Sequence, residues 1–512
     1  MVLSEIISRN ARRHLNKIAL SFEDKRYTFA ELNSRVNRLA NGLLSLGLKK
    51  GDMLAVLADN CPEYAEIFWA GAKTGIVIVP LNCSLGETET SYILDNSEAK
   101  AIIVSEDYRS KVNSIRGTLV NISNFIAIGD EGEGMRSYQA LLDSSPSIEV
   151  KEQLDEEGIF CIFFTSGTTG LSKGVIRTHR ATVAAAVDAI LSFRYVPGDV
   201  LLPLWPCYTV GYIWSVMSNS YLGNTFTGIR RFDPQQVFET IEKEKVTVIF
   251  ITAGALTSLI EYPEAHKYDY SSLGKMIYAG APLPVAVLRR GIELFGNIFY
   301  CGYGSTEAAA LPSCLPPEGH IVDGSEREVK RLASCGKETL NAEVRVADED
   351  GKDIAPGKTG EVIWRADYLP KGYWKMPELT AETIRGGFVY TGDLATVDEE
   401  GYIYILDRKK DMITSSGHKI YSREIEEVLY YHPAVLEAAV IGMPDKKLGE
   451  MVKAVVVLRA GKKASSEEII EFCRQRLPGY SVPGSVDFLT ELPRNPTGKV
   501  LKRVLRVQSG VR

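Results

Sequence analysis

The stretch from Phe164 to Gly174 reads FTSGTTGLSKG, and this segment is the most informative in the chain. Glycines allow a tight turn that approaches a ligand closely, and main-chain N–H groups and short hydroxyls can then surround phosphate oxygens. The run 158–164 before the stretch is apolar and β-prone, whereas Thr178 and the apolar run 181–190 favour a helix after it. We therefore expect the glycines to lie in a strand-to-helix loop that receives an anion.

This pattern differs from the common P-loop, which requires a Lys-Ser or Lys-Thr pair after GxxxxG. Here Gly174 follows Lys173, which disfavours a P-loop kinase. For an isolated loop of this composition, an ordinary Gly/Thr turn is the alternative interpretation. The choice between the two interpretations therefore depends on the rest of the chain.

The bulk composition indicates a globular protein with more than one domain. The chain has 512 residues, which exceeds the usual size of a single hydrophobic core. Hydrophobic residues make up 45% and charged residues 24%, and the net charge of −6 gives no bulk attraction to nucleic acid. Eight cysteines without a CxxC pair favour reduced thiols in the cytoplasm over a disulfide framework or a zinc site.

The sequence contains no obvious targeting or membrane-spanning segment. The first 17 residues lack the long apolar core of a signal peptide and are typical of an amphipathic helix. The most apolar segment, Ile67–Leu81, contains Lys73 and two glycines and is too short to cross a bilayer. We expect a cytoplasmic protein that is not transmembrane, with peripheral membrane contact and a homodimer both left open.

Strand-like and helical segments alternate over roughly the first 350 residues, which predicts βαβ units and parallel-rich sheets. From about Asp348, shorter strands separated by Gly and Asp predict hairpins of a smaller β subdomain. The segments that carry the alternation are strands at 53–57, 75–79, 101–104, 247–251 and 275–278, and helices at 29–46 and 63–73.

A new pattern begins at the charged hexad Asp407–Met412. Beyond it we expect helices at 422–431 and 465–476, the second capped by a serine, and strands at 438–443 and 452–458. We place a domain boundary at Lys410, which gives an N-terminal domain of residues 1–409 and a C-terminal domain of residues 410–512. The predicted fold class is α/β: a large N-terminal body of βα subdomains with parallel-rich sheets and a small β subdomain, then a small α+β C-terminal domain.

Further motifs follow the glycine-rich stretch in a fixed order. Together they resemble the acyl-adenylate-forming superfamily, which includes acyl-CoA synthetases, luciferases and the adenylation domains of peptide synthetases. The resemblance extends from the segment YTFAEL at Tyr27 to Lys499 and implies an acid–thiol ligase with ATP, Mg²⁺ and CoA as cofactors or co-substrates. The motifs are YGSTE at 303–307, YTGD at 390–393, DRKKD at 407–411 and PTGK at 496–499.

The resemblance assigns roles to individual residues. Lys499 is expected to bridge the carboxylate and the α-phosphate, where it stabilises the charged transition state. Thr168 and Glu307 are expected to share the Mg²⁺ ion. Asp393 is expected to accept hydrogen bonds from both ribose hydroxyls, and Arg408 to contact the ribose and phosphate region. The other expected nucleotide contacts are Thr165, Ser166, Gly167, Thr169, Gly170, Lys173, Gly280, Ala281, Tyr303, Gly304 and Thr306.

Several of these residues have plainer interpretations when each is taken alone. Glu307 and Lys499 could be solvated surface charges, and Asp393 could be the Asx-turn residue after Gly392. The resemblance further implies that the C-terminal domain is mobile. Lys410 matches its hinge, and Gly417 matches the loop that meets the CoA thiol after rotation.

The acid-binding pocket is the least determined part of the prediction. Many relatives read PLFHxxG where this chain has residues 203–211, and Tyr208 replaces the usual histidine. The expected pocket residues are Tyr208, Gly211, Gly280 and Gly302. The following run 211–217 is apolar and bulky and contains no cation, so we favour a medium- or long-chain fatty acid, with an aryl acid as the alternative.

CoA is the expected acceptor because no carrier domain follows Lys499 in the sequence. The alternatives are loading of a separate carrier protein and release of the free adenylate. A non-catalytic nucleotide-binding regulator is a different class of function. The presence of Lys499, Glu307 and Asp393 argues against it.

Overall fold

A computed structural model describes residues 1–129, 131–132, 134–165, 172–281, 283–494 and 499–510. Helices and strands alternate along the chain, and no helix among these residues is long and apolar enough to cross a membrane. The α-helices are α1 (Ser4–Arg13), α2 (Phe29–Ser45), α3 (Glu63–Thr74), α4 (Glu87–Asn96), α5 (Arg109–Ile115), α6 (Tyr138–Asp143), α7 (His179–Ser192), α8 (Val210–Tyr221), α9 (Pro234–Glu244), α10 (Ala253–Ile260), α11 (Val285–Phe295), α12 (Glu326–Lys330), α13 (Pro377–Thr383), α14 (Ser422–Tyr430), α15 (Ser466–Arg474) and α16 (Lys502–Gln508).

The strands are mostly short and form separate sheets. In chain order they are β1 (Ile18–Phe22), β2 (Lys25–Thr28), β3 (Met53–Leu57), β4 (Val77–Pro80), β5 (Ala101–Ser105), β6 (Asn124–Ile128), β7 (Arg136–Ser137), β8 (Ile159–Thr165), β9 (Lys173–Thr178), β10 (Val200–Pro203), β11 (Thr225–Gly228), β12 (Val248–Thr252), β13 (Lys275–Ala279), β14 (Phe299–Tyr303), β15 (Ser313–Leu315), β16 (Lys337–Glu338), β17 (Ala342–Ala347), β18 (Thr359–Ala366), β19 (Gly372–Tyr373), β20 (Ile384–Arg385), β21 (Phe388–Val397), β22 (Ile403–Arg408), β23 (Ile413–Ser415), β24 (His418–Ile420), β25 (Val435–Asp445), β26 (Gly449–Leu458) and β27 (Ser485–Leu489).

Two large, mainly parallel sheets form the N-terminal body. One has the strand order β16-β15-β14-β13-β12-β10-β11-β1-β2, and the other has the order β19-β9-β8-β4-β3-β5-β6-β7. Strands such as β3 and β12 are buried along their full length because helices cover both faces of a parallel sheet. Helix α3 is buried on every side, and it packs in the main core with α2.

Two smaller sheets follow in the sequence. Strands β17, β18, β21, β20 and β22 form an antiparallel sheet, as the Gly- and Asp-separated runs predict. Strands β23 to β27 form the last sheet, whose core with α14 and α15 forms a cluster of its own. The predicted capping serine is also present, since Ser465 accepts a hydrogen bond from the Glu468 amide at the start of α15. The α/β class with a small C-terminal domain is therefore confirmed.

The predicted strand-to-helix position of the glycine-rich stretch is wrong. Strands β8 and β9 are antiparallel neighbours, with Thr165 opposite Lys173, so the stretch joins the two strands of a hairpin. The predicted helix does form as α7, and Thr178 caps its start, but β9 comes first. The strand character of residues 173–178 depends on pairing with β8 and β19, which is a tertiary effect.

Candidate active site

The carboxyl ends of β13 and β14 lie side by side, because the strands are parallel neighbours with Tyr278 opposite Cys301. Gly280 and Ala281 directly follow β13, and Gly304 directly follows β14, so these three predicted nucleotide contacts share one sheet edge. The backbone is crowded there, since a Cβ atom at Gly304 would lie 2.2 Å from the Ala310 carbonyl oxygen. The carboxyl edge of a parallel sheet is where such folds usually bind ligands. Pro282, which follows Ala281 in the sequence, lies outside the described residues.

Asp393 is the centre of a polar cluster beside this edge. The Tyr303 hydroxyl donates to Asp393 Oδ2 at 2.7 Å, and Arg408 Nε lies 3.0 Å from Asp393 Oδ1. Asp393 and Arg408 are opposite each other in the β21–β22 pair, which fixes their separation. Burial and the nearby Asp393 charge raise the pKa of Tyr303, so its hydroxyl keeps the proton that it donates. The structure thus joins three predicted site residues from two sheets.

Lys499 reaches the same cluster from the C-terminal domain. Its side chain is half-buried, and it lies close enough to Arg408 and Asp393 for both charges to act on it. Burial lowers the pKa of Lys499 to about 8; Arg408 adds to this shift, and Asp393 and Asp411 oppose it. The rest of its predicted motif, residues 496–498, lies outside the described residues. The ammonium group therefore loses its proton at a lower pH than an ordinary lysine does, and it lies next to the residues predicted to hold the nucleotide.

Glu307 lies in a second polar cluster, at the loop end of the β8–β9 hairpin. Its Oε1 accepts a hydrogen bond from the Tyr373 hydroxyl at 2.6 Å, and Lys173 Nζ lies 5.8 Å from the centre of the Tyr373 ring. Tyr373 is in β19, which pairs with β9 and so carries the ring to the hairpin. Thr165 and Lys173 face each other there. The intervening predicted contacts Ser166, Gly167, Thr168, Thr169 and Gly170 lie outside the described residues.

Glu307 belongs to the predicted Mg²⁺ site, whereas Thr168 lies outside the described residues. Within the described ranges, no group of three or more His, Cys, Asp or Glu side chains could hold a metal by itself. A nucleotide-bound Mg²⁺ needs only one or two protein ligands, because phosphate oxygens and water complete its shell. The Glu307 carboxylate, located near Lys173, fits the role of a single oxygen ligand. Thr306, the other predicted residue of this loop, is half-buried beside it.

Arg177 was missed by the sequence interpretation. It is buried on β9, and its Nη1 donates to the Tyr368 carbonyl oxygen at 2.8 Å and to the Glu307 carbonyl oxygen at 3.2 Å. Burial lowers the pKa of Arg177 to about 9. A signal was available, because an arginine inside the β-prone run GVIRT is unusual for a buried strand.

The predicted acid-pocket residues surround Trp205 and Leu311. Cβ atoms at Gly211 and Gly280 would lie 2.9 Å and 2.6 Å from the Trp205 ring, whereas one at Gly302 would lie 2.4 Å from Leu311. Tyr208 is half-buried between two core clusters, and burial raises the pKa of its hydroxyl. Trp205 was also missed, since a tryptophan at this position carries no motif.

Lys410 and Gly417, predicted for the domain movement, are both exposed. Lys410 is the second residue after the end of β22. Gly417 is at the turn between β23 and β24 with φ +80°, and the space around a Cβ atom there is open to 4 Å. In this arrangement, Lys499 is at the Asp393 cluster.

Comparisons with known proteins agree with this geometry. The family model for AMP-binding enzymes matches residues 7–374, and the model for their C-terminal domain matches residues 424–499. The chain is 34% identical over 504 residues to a feruloyl-CoA synthase of Amycolatopsis sp., with 98% of both chains covered. It is 35% identical over 494 residues to a long-chain-fatty-acid–CoA ligase of Mycobacterium tuberculosis, with 95% of this chain and 93% of the relative covered. A solved anthranilate CoA ligase in complex with anthranoyl-AMP superimposes with a TM-score of 0.92 at 27% identity, covering 99% of this chain and 97% of that one.

Proposed function

Because this chain belongs to the AMP-binding enzyme family, we propose that it joins a hydrophobic carboxylic acid to CoA at the expense of ATP. The chain is an AMP-forming acid–CoA ligase. A carboxylate oxygen attacks the α-phosphorus of ATP, and the bond to the pyrophosphate leaving group breaks. The CoA sulfur then attacks the acyl carbon of the mixed anhydride, and AMP leaves. What we propose for this chain is the class of its substrate, a hydrophobic carboxylic acid.

The position of Lys499 is the observation that carries the mechanism. Its ammonium group lies beside Arg408 and Asp393, at the edge where Gly280 and Gly304 would receive the nucleotide. Adenylation brings a negative carboxylate to a negative phosphate, so a cation placed between them lowers the barrier. We assign Lys499 to this role, and Asp393 with Tyr303 to positioning the ribose.

The second cluster supports a role at the outer phosphates. Glu307 and Lys173 place a carboxylate and an ammonium group at the loop end of the β8–β9 hairpin. We assign Glu307 as the Mg²⁺ ligand, together with Thr168, which lies outside the described residues. When bound, Mg²⁺ would neutralise phosphate charge and favour departure of pyrophosphate. Tyr373 orients the Glu307 carboxylate for this purpose.

The wall near the predicted acid pocket favours a hydrophobic acid. Trp205 stacks on Phe250 with ring centres 4.9 Å apart, and Trp214 contacts Phe250 edge-on at 5.1 Å. All three side chains are buried. An aromatic wall binds apolar acids well but does not compensate the charge of an amino acid or a dicarboxylate. The relatives named for feruloyl and long-chain fatty acyl substrates both act on acids of this general kind.

The proposal is tested by measuring pyrophosphate release over a panel of acids, with and without CoA. We expect release with at least one hydrophobic acid, and thioester formation when CoA is added. Lys499→Ala should abolish pyrophosphate release but still convert a preformed acyl-adenylate to thioester. The proposal fails if no acid supports release, and the role of Lys499 fails if the folded variant loses both half-reactions equally.

A further inference from the structure

Trp205 is inserted between two glycines that the sequence assigns to the acid pocket. Its Cη2 and Cζ2 atoms lie 2.6 Å and 3.1 Å from the position of a Cβ atom at Gly280, and its Cε3 lies 2.9 Å from that at Gly211. Phe250 stacks on one face of the indole with an interplanar angle of 9°. The two positions therefore accept glycine because the indole occupies the space that a side chain would fill.

The loop that carries Trp205 is held on several sides. The Asn60 side-chain amide donates to the Trp205 carbonyl oxygen at 3.3 Å, and Asn60 Oδ1 accepts from the Cys207 amide at 2.7 Å. The Leu204 amide also donates to the Phe250 carbonyl oxygen at 2.8 Å, which ties the loop to β12. These hydrogen bonds fix the backbone of the loop, and packing against Phe250, Gly211 and Gly280 holds the indole itself. Trp205 is therefore a fixed wall of the site rather than a swinging gate.

We propose that Trp205 ends the acid pocket, so that the preferred substrate is a compact aromatic acid and not a long-chain fatty acid. This inference rests on the proposed function and names its substrate class. A fixed indole next to Gly211 and Gly280 makes the acid pocket too shallow for a long alkyl chain. The flat Trp205–Phe250 wall offers a surface to which a planar ring is complementary. The inference favours the aryl alternative over the medium- or long-chain fatty acid that the sequence favours.

A buried donor refines the substrate class. Trp205 Nε1 and Trp214 Nε1 are both buried without a hydrogen-bond acceptor among the described residues. Nε1 of Trp205 is on the same edge of the indole as Cζ2, which faces Gly280. Buried N–H groups nearly always have a partner, and an oxygen substituent on the substrate ring would supply one. We therefore expect hydroxy- or alkoxy-substituted aryl acids to be better substrates than unsubstituted ones.

The first measurement uses the unmodified protein. Pyrophosphate release is compared for benzoate, hydroxylated and methoxylated benzoates, their phenylpropenoate counterparts, octanoate and dodecanoate. We expect the highest kcat/KM with an oxygen-substituted aryl acid and a kcat/KM for dodecanoate at least tenfold lower. A preference for dodecanoate would overturn the inference but leave the proposed function standing, whereas no release with any acid would reject the proposed function itself.

Two variants then test Trp205 directly. Trp205→Ala should raise the dodecanoate-to-aryl ratio of kcat/KM at least tenfold, because each additional buried methylene is worth about fourfold. Trp205→Phe keeps a planar ring without the N–H group. It should therefore lower the ratio of kcat/KM between oxygen-substituted and unsubstituted aryl acids, with little change in the dodecanoate-to-aryl ratio. Phe238→Ala is the matched control, since this buried ring packs against Tyr262 and Tyr268 in a different core cluster. An unchanged acid preference in both Trp205 variants, or the same change in Phe238→Ala, contradicts the inference.

Discussion

Lys499 has an unusually acidic ammonium group in the arrangement observed here. A lysine with an unperturbed pKa would remain charged to about pH 10. Burial and the Arg408 charge instead lower the pKa of Lys499 to about 8. The proposed role requires the cation, so adenylation should be fully active below this pH and should weaken as the pH rises through it.

We therefore expect kcat/KM for pyrophosphate release, measured without CoA, to fall about tenfold for each pH unit above 8. Omitting CoA removes the titration of its own thiol from the profile. Lys499→Arg serves as the control, because a guanidinium stays protonated and any residual activity should lose this pH dependence. A decline that begins only near pH 10, or one that persists in Lys499→Arg, would assign the titration to another group.

At the residue scale, motifs locate the charged residues but not the residues that support them. Asp393, Arg408 and Lys499 meet in the structure as their motifs predict, although their roles stay predictions. Trp205 and Tyr373 carry no motif, since their significance depends on which glycine or carboxylate lies opposite them. These contacts form between segments that are distant in the sequence, so the spacing of residues along the chain does not reveal them.

At the element scale, β9 connects the glycine-rich stretch to the Glu307 loop. It pairs with β8 and β19, and Arg177 on this strand donates to the main-chain oxygens of Glu307 and Tyr368. Arg177 is buried, and its Nη1 bonds to main-chain oxygens of the site, so we assign it as a positioning residue. Its two hydrogen bonds hold the Glu307 loop against the hairpin.

Arg177→Met should loosen this loop, because two buried carbonyl oxygens lose their donor at about 1–3 kcal/mol each. We expect kcat for adenylation to fall about tenfold and the Mg²⁺ concentration for half-maximal rate to rise, with little change in KM for the acid. A purely structural role would lower the amount of folded enzyme without shifting the Mg²⁺ dependence. Arg180→Met is the matched control, since Arg180 pairs with Glu157 on the exposed side of α7.

Elements with local signals were predicted better than those without. Helix α15 begins after a capping serine, and its apolar residues recur at helical spacing. Strand β12 is a short run of apolar residues. The residues of β9 were predicted to belong to a loop, because Gly174 and two charged side chains interrupt the apolar pattern of the strand. Pairing with neighbouring strands stabilises β9 in the structure. The hairpin could therefore not be predicted from residues 164–190 alone.

At the scale of the whole molecule, the order of motifs predicts the fold class, but not the order of strands within each sheet. Strand β1 lies beside β11, more than 200 residues away, and β10 lies between β11 and β12. Such crossovers depend on long-range packing, which no local pattern reports. The boundary at Lys410 and the rotation of the C-terminal domain remain predictions.

Several contacts hold the C-terminal domain where Lys499 meets Asp393. Glu427 Oε1 accepts from the Val285 amide at the start of α11 at 2.9 Å. Arg459 lies 2.7 Å from Glu261, and Asp407 Oδ2 accepts from the Ser422 amide at 2.8 Å. The Arg459–Glu261 pair is partly exposed and contributes little. The Glu427 contact is stronger, because a carboxylate there accepts a charge-assisted hydrogen bond at a helix N-terminus.

Glu427→Ala should therefore weaken the observed arrangement by about 1–2 kcal/mol, which is roughly a 5–30-fold change in its population relative to a rotated one. If the domain rotates between the half-reactions, adenylation should slow by up to this factor, while thioester formation from a preformed adenylate should stay constant or accelerate. Glu424→Ala on the same helix is the control, because Glu424 is exposed. Equal slowing of both half-reactions in folded Glu427→Ala would mean that one fixed arrangement performs both steps, and the hinge at Lys410 would then have to be abandoned.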